Sequence, residues 1–302
     1  MSRNRLVFPL EERVPRGGPE RTRIVQHYFF TALRVSGLLA VVAIFIIPYL
    51  WMVVSSVRPS TEVFTYVNPV TWRTFLPTKL TSQYFRALFW DKGFMRYVFN
   101  SLSVAVVVVP LSCLVSAMGA YIFARFSFPG KDFLFMVVIS TMLVPFEATI
   151  IPMYLVVSKL GLQNTRAALI VPWIASPFGV FLLRQFMAEI PKQLDEAAFI
   201  DGCSHFGVFW KVVLPNLKPA LVTFALISFL WSWDSFFWPL VVIQTDSKQV
   251  IQVAIATLNT PEYTEWGLIF AGSTMASLPV LVLFLFLQRY YVRGIVLSGL
   301  KA

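Results

Sequence analysis

Two carboxylates, Glu147 and Asp234, stand in segments that are otherwise apolar, and Trp231 and Trp238 lie three residues before and four residues after the second of them. An unpaired carboxylate in hydrocarbon costs several kcal/mol, so each acid is expected to face a cavity or a partner. At helical spacing Trp231, Asp234 and Trp238 share one aromatic and acidic face, suited to stacking on a sugar ring and accepting hydrogen bonds from its hydroxyls. The same residue types also fit a plainer role, with the indoles in an interfacial belt and Asp234 capping a helix or pairing with another subunit.

A second concentration of polar groups fills the 31 residues from Glu189 to Pro219, between two long apolar segments. Pro191 suits the first turn of a helix, and Asp195 and Glu196 place negative charge near the positive end of its dipole. Leu194, Ala197, Ala198 and Asp201 then fall on one face, where the small Ala pair admits a close partner backbone. Gly202 supplies the left-handed conformation that ends such a helix. Beyond it Phe206, Phe209, Trp210 and Val213 form a stripe expected of a helix lying at a membrane surface, stopped by Pro215 and Pro219. The chemistry of this stretch is docking. Nothing in it is arranged for bond cleavage.

Other catalytic chemistry is missing from the chain. Two histidines, His27 and His205, and two cysteines, Cys113 and Cys203, supply neither a thiolate cluster nor intramembrane haem ligation. There is no H-E-x-x-H zinc motif and no G-x-x-x-x-G-K-[ST] phosphate loop, so no ATPase site or cofactor is expected here. Energy for any ATP-driven process has to come from a partner.

The elements that must position these groups are membrane helices. Hydrophobic residues make up 57% of the 302 and charged ones 13%, with a mean hydropathy of +0.71. Spans of roughly 20 apolar residues are expected near 35–57, 98–124, 133–158, 167–187, 220–243 and 268–290. Prolines interrupt the third at Pro145 and Pro152, the fourth at Pro172 and Pro177 and the sixth at Pro279. With the N-terminus inside, 16 of the 25 Lys and Arg residues fall on the cytoplasmic side, which favours both termini in the cytoplasm. The division expected is a basic cytoplasmic tail 1–34, a transmembrane domain 35–292 and a C-terminal tail 293–302 too short to fold alone. The formal charge of +10 does not indicate nucleic acid, because the basic cluster sits directly ahead of a span, where it anchors the chain against anionic lipid.

The spacing Glu196-Ala197-Ala198, three residues, Gly202, nine residues, Val212-Val213-Leu214-Pro215 resembles the EAA signature of membrane subunits of binding-protein-dependent ABC importers, with Val212 where Ile is usual. Tyr121 to Lys131, Lys159 to Thr165, Phe178 to Phe186, Ile190 to Glu196 and Trp231 to Pro239 are similar to the carbohydrate-type permeases, the subfamily of maltose and glycerol-phosphate importers. The resemblance implies a MalG-like subunit: an all-α type I permease with six transmembrane helices, in a bacterial or archaeal inner membrane. It would form half of a channel for a sugar or polyol with a MalF-like second permease, an ATPase subunit dimer carrying ATP and Mg, and an extracytoplasmic binding protein. Coupling to the ATPase would run through Glu196, Ala197, Ala198, Gly202, Leu214 and Pro215, and the tail Arg293 to Ala302 would reach between the ATPase subunits. The competing reading is an ion-coupled secondary transporter in which Asp234 and Glu147 carry protons or sodium.

Overall fold

The structure, a computed structural model, describes residues 20–259 and 264–299, with side chains described for 27–259 and 264–286. The described residues form helices and connecting turns, with one isolated bridge, Asn259 to Thr264. The chain divides into a unit up to Trp51 and a second from Met52 onward.

Helix α1, Glu20–Ser56, supplies the first unit. Its stretch His27–Ser56 has a mean hydropathy of 2.5, and Leu38, Ile44 and Phe45 are exposed, as expected of a span. Helix starts 15 residues ahead of the expected boundary after Arg34. Residues 20–34 therefore belong to the same rod as the span, because long basic side chains do not interrupt helical backbone.

The second unit is built around α3, Met95–Arg125. Before it come a short turn α2, Gln83–Arg86, and a loop closed by Arg58, whose buried Nη2 donates to the carbonyls of Arg73 and Thr74 at 2.7 and 3.3 Å. After it follow α4, Lys131–Ser140, and α5, Phe146–Lys159, which meet at a 103° bend next to Pro145. Then come α6, Arg166–Ile170, and α7, Pro177–Glu189, bent by 41° across a tight turn containing Pro172. The remainder comprises α8, Lys192–Ile200; α9, His205–Val208; α10, Leu214–Asn216; α11, Lys218–Trp233; α12, Phe237–Val242; α13, Ile251–Ala256; and α14, Trp266–Gly299.

Among the described residues three apolar helices are long enough to cross a membrane alone, and three bent pairs qualify as broken spans. Each break has a proline beside it, Pro145, Pro177 or Pro219, whose missing N–H cannot continue the helix ladder. Pro152 and Pro279, expected to interrupt their spans, instead lie inside continuous helices. The helix of α11 stops at Trp233, ten residues short of the expected end of that span. α14 runs to Gly299, so helix continues through residues 293–299 of the expected tail; residues 300–302 of that tail lie outside the described ones.

Among the described residues three apolar clusters hold the unit together, and α3 packs into all three. At its Arg125 end Ala117, Ala120 and Tyr121 pack with Leu183 and Met187 of α7, Ala198 of α8 and Phe224 of α11. Midway, Val104 and Val108 pack with Val157, Leu169 and Trp238. Tyr84, Phe94, Trp233, Ile251 and Ala271 form the third. Gly179 lets α7 close onto α3 and α11, because a Cβ there would run into the Phe224 ring and Ser116 Oγ. At the other end of α3, Asn100 donates to the carbonyls of Ser247 and Gln249 at 3.0 and 2.9 Å and accepts from Arg166 at 3.1 Å, which pins the connecting loops to the rod.

Candidate functional site

Two places in the second unit are candidates. The first is the loop around α8. Pro191 leads into the helix, and Asp201 and Gly202 end it, with Gly202 at φ +82°. The Gly202 N–H bonds the carbonyl of Phe199 at 3.0 Å and the Cys203 N–H that of Ala198 at 2.9 Å. This paired closure is a Schellman motif, which needs the left-handed residue that only glycine adopts without strain. Ser204 then caps α9 by accepting from the Gly207 N–H. A π-helical turn, Phe209–Val213, follows, and the chain bends by 79° at Leu217 into α11.

The pose of α8 is fixed from one side by α3. Arg125 Nε sits 2.6 Å from Asp195 Oδ2, with the two side chains only 7% and 9% exposed. The contact is one of charge, since the Nε–H does not point along a hydrogen-bond direction; Arg125 Nη2 donates instead to the Ile190 carbonyl at 3.0 Å. Tyr121 Oη donates to the His205 carbonyl at 3.2 Å, and the His205 ring lies between Phe126 and Phe199 with centroids at 4.9 and 4.8 Å. Burying Asp195 and Ala198 leaves Glu196, Ala197 and Ile200 outward, the last 87% exposed. The outer side of this short helix therefore presents Leu194, Glu196, Ala197 and Ile200.

The second place is a cavity of about 670 Å³ at the points where the bent helices break. Thr141, Met142 and Phe146 line it from the α4 to α5 bend, Trp173 and Ser176 from the α6 to α7 turn, Ser112 from α3, and Trp231 to Trp238 in part from the end of α11. That volume is in the range of small-molecule sites.

The family described as binding-protein-dependent transport system inner membrane component matches residues 109–296, which includes both places. The chain belongs to this family. As a binding-protein-dependent permease it is the non-catalytic membrane subunit of an ABC importer. It is 38% identical over 264 residues to the arabinooligosaccharides transport system permease protein AraQ of Halalkalibacterium halodurans, covering 87% of this chain and 93% of that one. The lactose transport system permease protein LacG of Rhizobium radiobacter is 29% identical over 82% of this chain and 89% of its own. In the crystal structure of a bacterial ABC transporter involved in import of the acidic polysaccharide alginate, one chain matches with a TM-score of 0.76 at 23% identity, over 92% of this permease and 100% of that chain. That likeness establishes the fold. The ion-coupled secondary transporter reading has no support.

The permease brings some of the anticipated residues together and separates others. Gly202 stands where its spacing placed it. The expected outward face of Leu194, Ala197, Ala198 and Asp201 is split, because Ala198 turns inward beside Asp195. The stripe of Phe206, Phe209, Trp210 and Val213 is split likewise: the π-helical turn buries Phe209 and Val213 and leaves Phe206 exposed. Pro215 and Pro219 do not stop helices; each sits in the first turn of one, α10 and α11. Leu214 packs partly into the core while Pro215 is exposed.

The continuous face of Trp231, Asp234 and Trp238 does not form. Helix ends at Trp233, and Trp238 on α12 is buried, donating its Nε1–H to the Ala168 carbonyl at 2.8 Å. Asp234 accepts from Gln252 Nε2 at 3.2 Å and lies off the cavity wall, as does the exposed Glu147 in the first turn of α5. Sequence reasoning passed over Arg125, Asp195 as an ion-pair partner, and the cavity serines. Arg125 was visible as the charged end of an apolar run, but nothing in the spacing said that it meets a residue 70 positions later.

Proposed function

We propose that this permease forms half of an ATP-driven channel for a sugar or related polyol, with a MalF-like second permease, an ATPase dimer that supplies ATP and Mg, and an extracytoplasmic binding protein. Six spans with both termini in the cytoplasm of a bacterial or archaeal inner membrane fit the Lys and Arg distribution. The observation that carries the reading is α8: a short helix whose inner side is locked by Arg125 and Asp195 and whose outer side offers Glu196, Ala197 and Ile200. Such a knob transmits force only if a partner groove receives it. Leu214 packs against the same apolar cluster as Ala198 of α8, and Pro215 opens α10 as the chain turns toward α11. The sugar assignment draws on relatives named for arabinooligosaccharide, lactose and diacetylchitobiose transport.

The test is co-expression with the neighbouring permease, ATPase and binding-protein genes, followed by cross-linking of an Ile200→Cys variant. A bond to the ATPase subunit, with sugar uptake into proteoliposomes that requires ATP, is the expected result. Uptake driven by a proton or sodium gradient without ATP would overturn it.

A further inference from the structure

The cavity at the helix breaks carries a chemical signature of its own. Trp231 stands against Phe178 with centroids 5.3 Å apart at 66°, and Trp173 against Phe146 at 5.5 Å and 50°. All four rings line the cavity, and Trp231 is exposed. Aromatic faces of this kind pack on the C–H face of a pyranose or furanose ring.

Of the seven hydroxyl residues on the wall, Ser101, Thr141 and Ser176 are hydrogen-bonded within the chain, and the other four differ from most serines elsewhere. Ser56, Ser103 and Ser140 each donate to the carbonyl three residues earlier, the usual way a helical serine satisfies itself. Ser112, Ser228, Ser232 and Ser235 make no such bond and have no hydrogen-bond partner among the described residues, although Ser112 and Ser228 are buried to within 1% and 6%. Each keeps a donor and two lone pairs for what enters the cavity. No residue lining the cavity is ionisable in the ordinary range: none is Asp, Glu, His, Lys or Arg.

From these observations we infer that the cavity is a subsite for a neutral glycosyl unit, contributed by this chain itself, which accepts uncharged sugars and disfavours uronates and sugar phosphates. It rests on the sugar-importer reading above. Four free hydroxyls match the mixed donor and acceptor pattern of a sugar, and two pairs of rings supply its apolar contact. An anion placed here meets no cation and loses its hydration without compensation. A neutral ring loses little, because its hydroxyls find partners.

The test uses the assembled complex in lipid nanodiscs, with Ser232→Cys installed in a background carrying Cys113→Ser and Cys203→Ser. The thiol is labelled with iodoacetamide in the presence of arabinotriose, lactose, diacetylchitobiose or alginate trisaccharide. At least one neutral sugar is expected to slow labelling, with alginate trisaccharide at the same concentration having no effect. Adding Trp231→Ala is expected to raise the concentration needed for protection about tenfold. Ser235→Cys gives the same readout if Ser232→Cys lowers complex yield. Equal protection by the uronate, or no protection by any sugar, overturns the subsite, and the latter is the outcome if an acyl chain or a partner helix fills the cavity. ATP-dependent uptake by the same complex with its binding protein separates the two readings. Neutral-sugar uptake without protection removes the subsite alone, whereas import of a different solute class with no sugar uptake removes the importer reading as well.

Discussion

Removing one member of the Arg125 and Asp195 pair is the most direct challenge to the proposal that α8 is a coupling helix. In Asp195→Ala the guanidinium keeps its bond to the Ile190 carbonyl but stays buried with its charge uncompensated, at a site where the side chain is 7% exposed. The cost of breaking such a pair is about 3–5 kcal/mol. For a unit of this size that corresponds to an unfolding midpoint lower by about 10 °C. Arg125→Met strands the carboxylate, whose Oδ1 already lacks a partner, and loses the Ile190 bond too, so its loss is at least as large. Because a buried pair replaced by apolar residues is often neutral, the double variant Arg125→Met, Asp195→Leu is expected to recover most of the loss. The assay is thermal unfolding of the purified complex followed by tryptophan fluorescence, together with ATPase activity and uptake per assembled complex. Stability returns in the double variant, but ATP hydrolysis without matching uptake persists, since the charge that aims α8 is gone. Single variants that each cost under about 1 kcal/mol, or losses that simply add in the double variant, would refute the reasoning.

Gly202→Val forces a β-branched residue to φ +82°; it should cost about 1–3 kcal/mol and lower uptake per assembled complex, which vesicle transport measures. Ile200→Asp leaves the exposed tip of α8 folded but should reduce the amount of ATPase subunit retained on affinity purification, because a charge enters an apolar contact. Trp238→Phe removes the donor to the Ala168 carbonyl and should lower stability by about 1–3 kcal/mol, with uptake per assembled complex near wild type. A transport defect larger than its stability defect would place Trp238 in the solute path.

Helix α8 and its terminator were readable because both are local: Pro191, the Ala pair and Gly202 act within a single turn of their neighbours. The spans were readable from composition. Their ends were not, since a basic residue such as Arg34 marks a membrane boundary without ending a helix, and Trp233 ends one without any Gly or Pro at that position. The face of Trp231, Asp234 and Trp238 failed for that reason: helical spacing was extended across a break. Ala198 and Phe209 were placed outward because periodicity specifies a face and not which neighbour covers it. The Arg125 pair and the cavity depend on residues far apart in the chain, and only packing brings these together.

α3 touches both candidate places, with Ser112 on the cavity wall and Arg125 on the coupling helix. Thirteen residues of helix separate them, a rod of about 20 Å. Pro110 lies just beyond the cavity end of that rod and deletes one backbone hydrogen bond from it. A tilt of about 5° at that hinge swings the far end by about 2 Å over this length. If the cavity takes the solute and α8 meets the ATPase as proposed, the rod would be a lever with its fulcrum at the first and its load at the second. One helix backbone would then join the two places directly, with no intervening loop between Ser112 and Arg125.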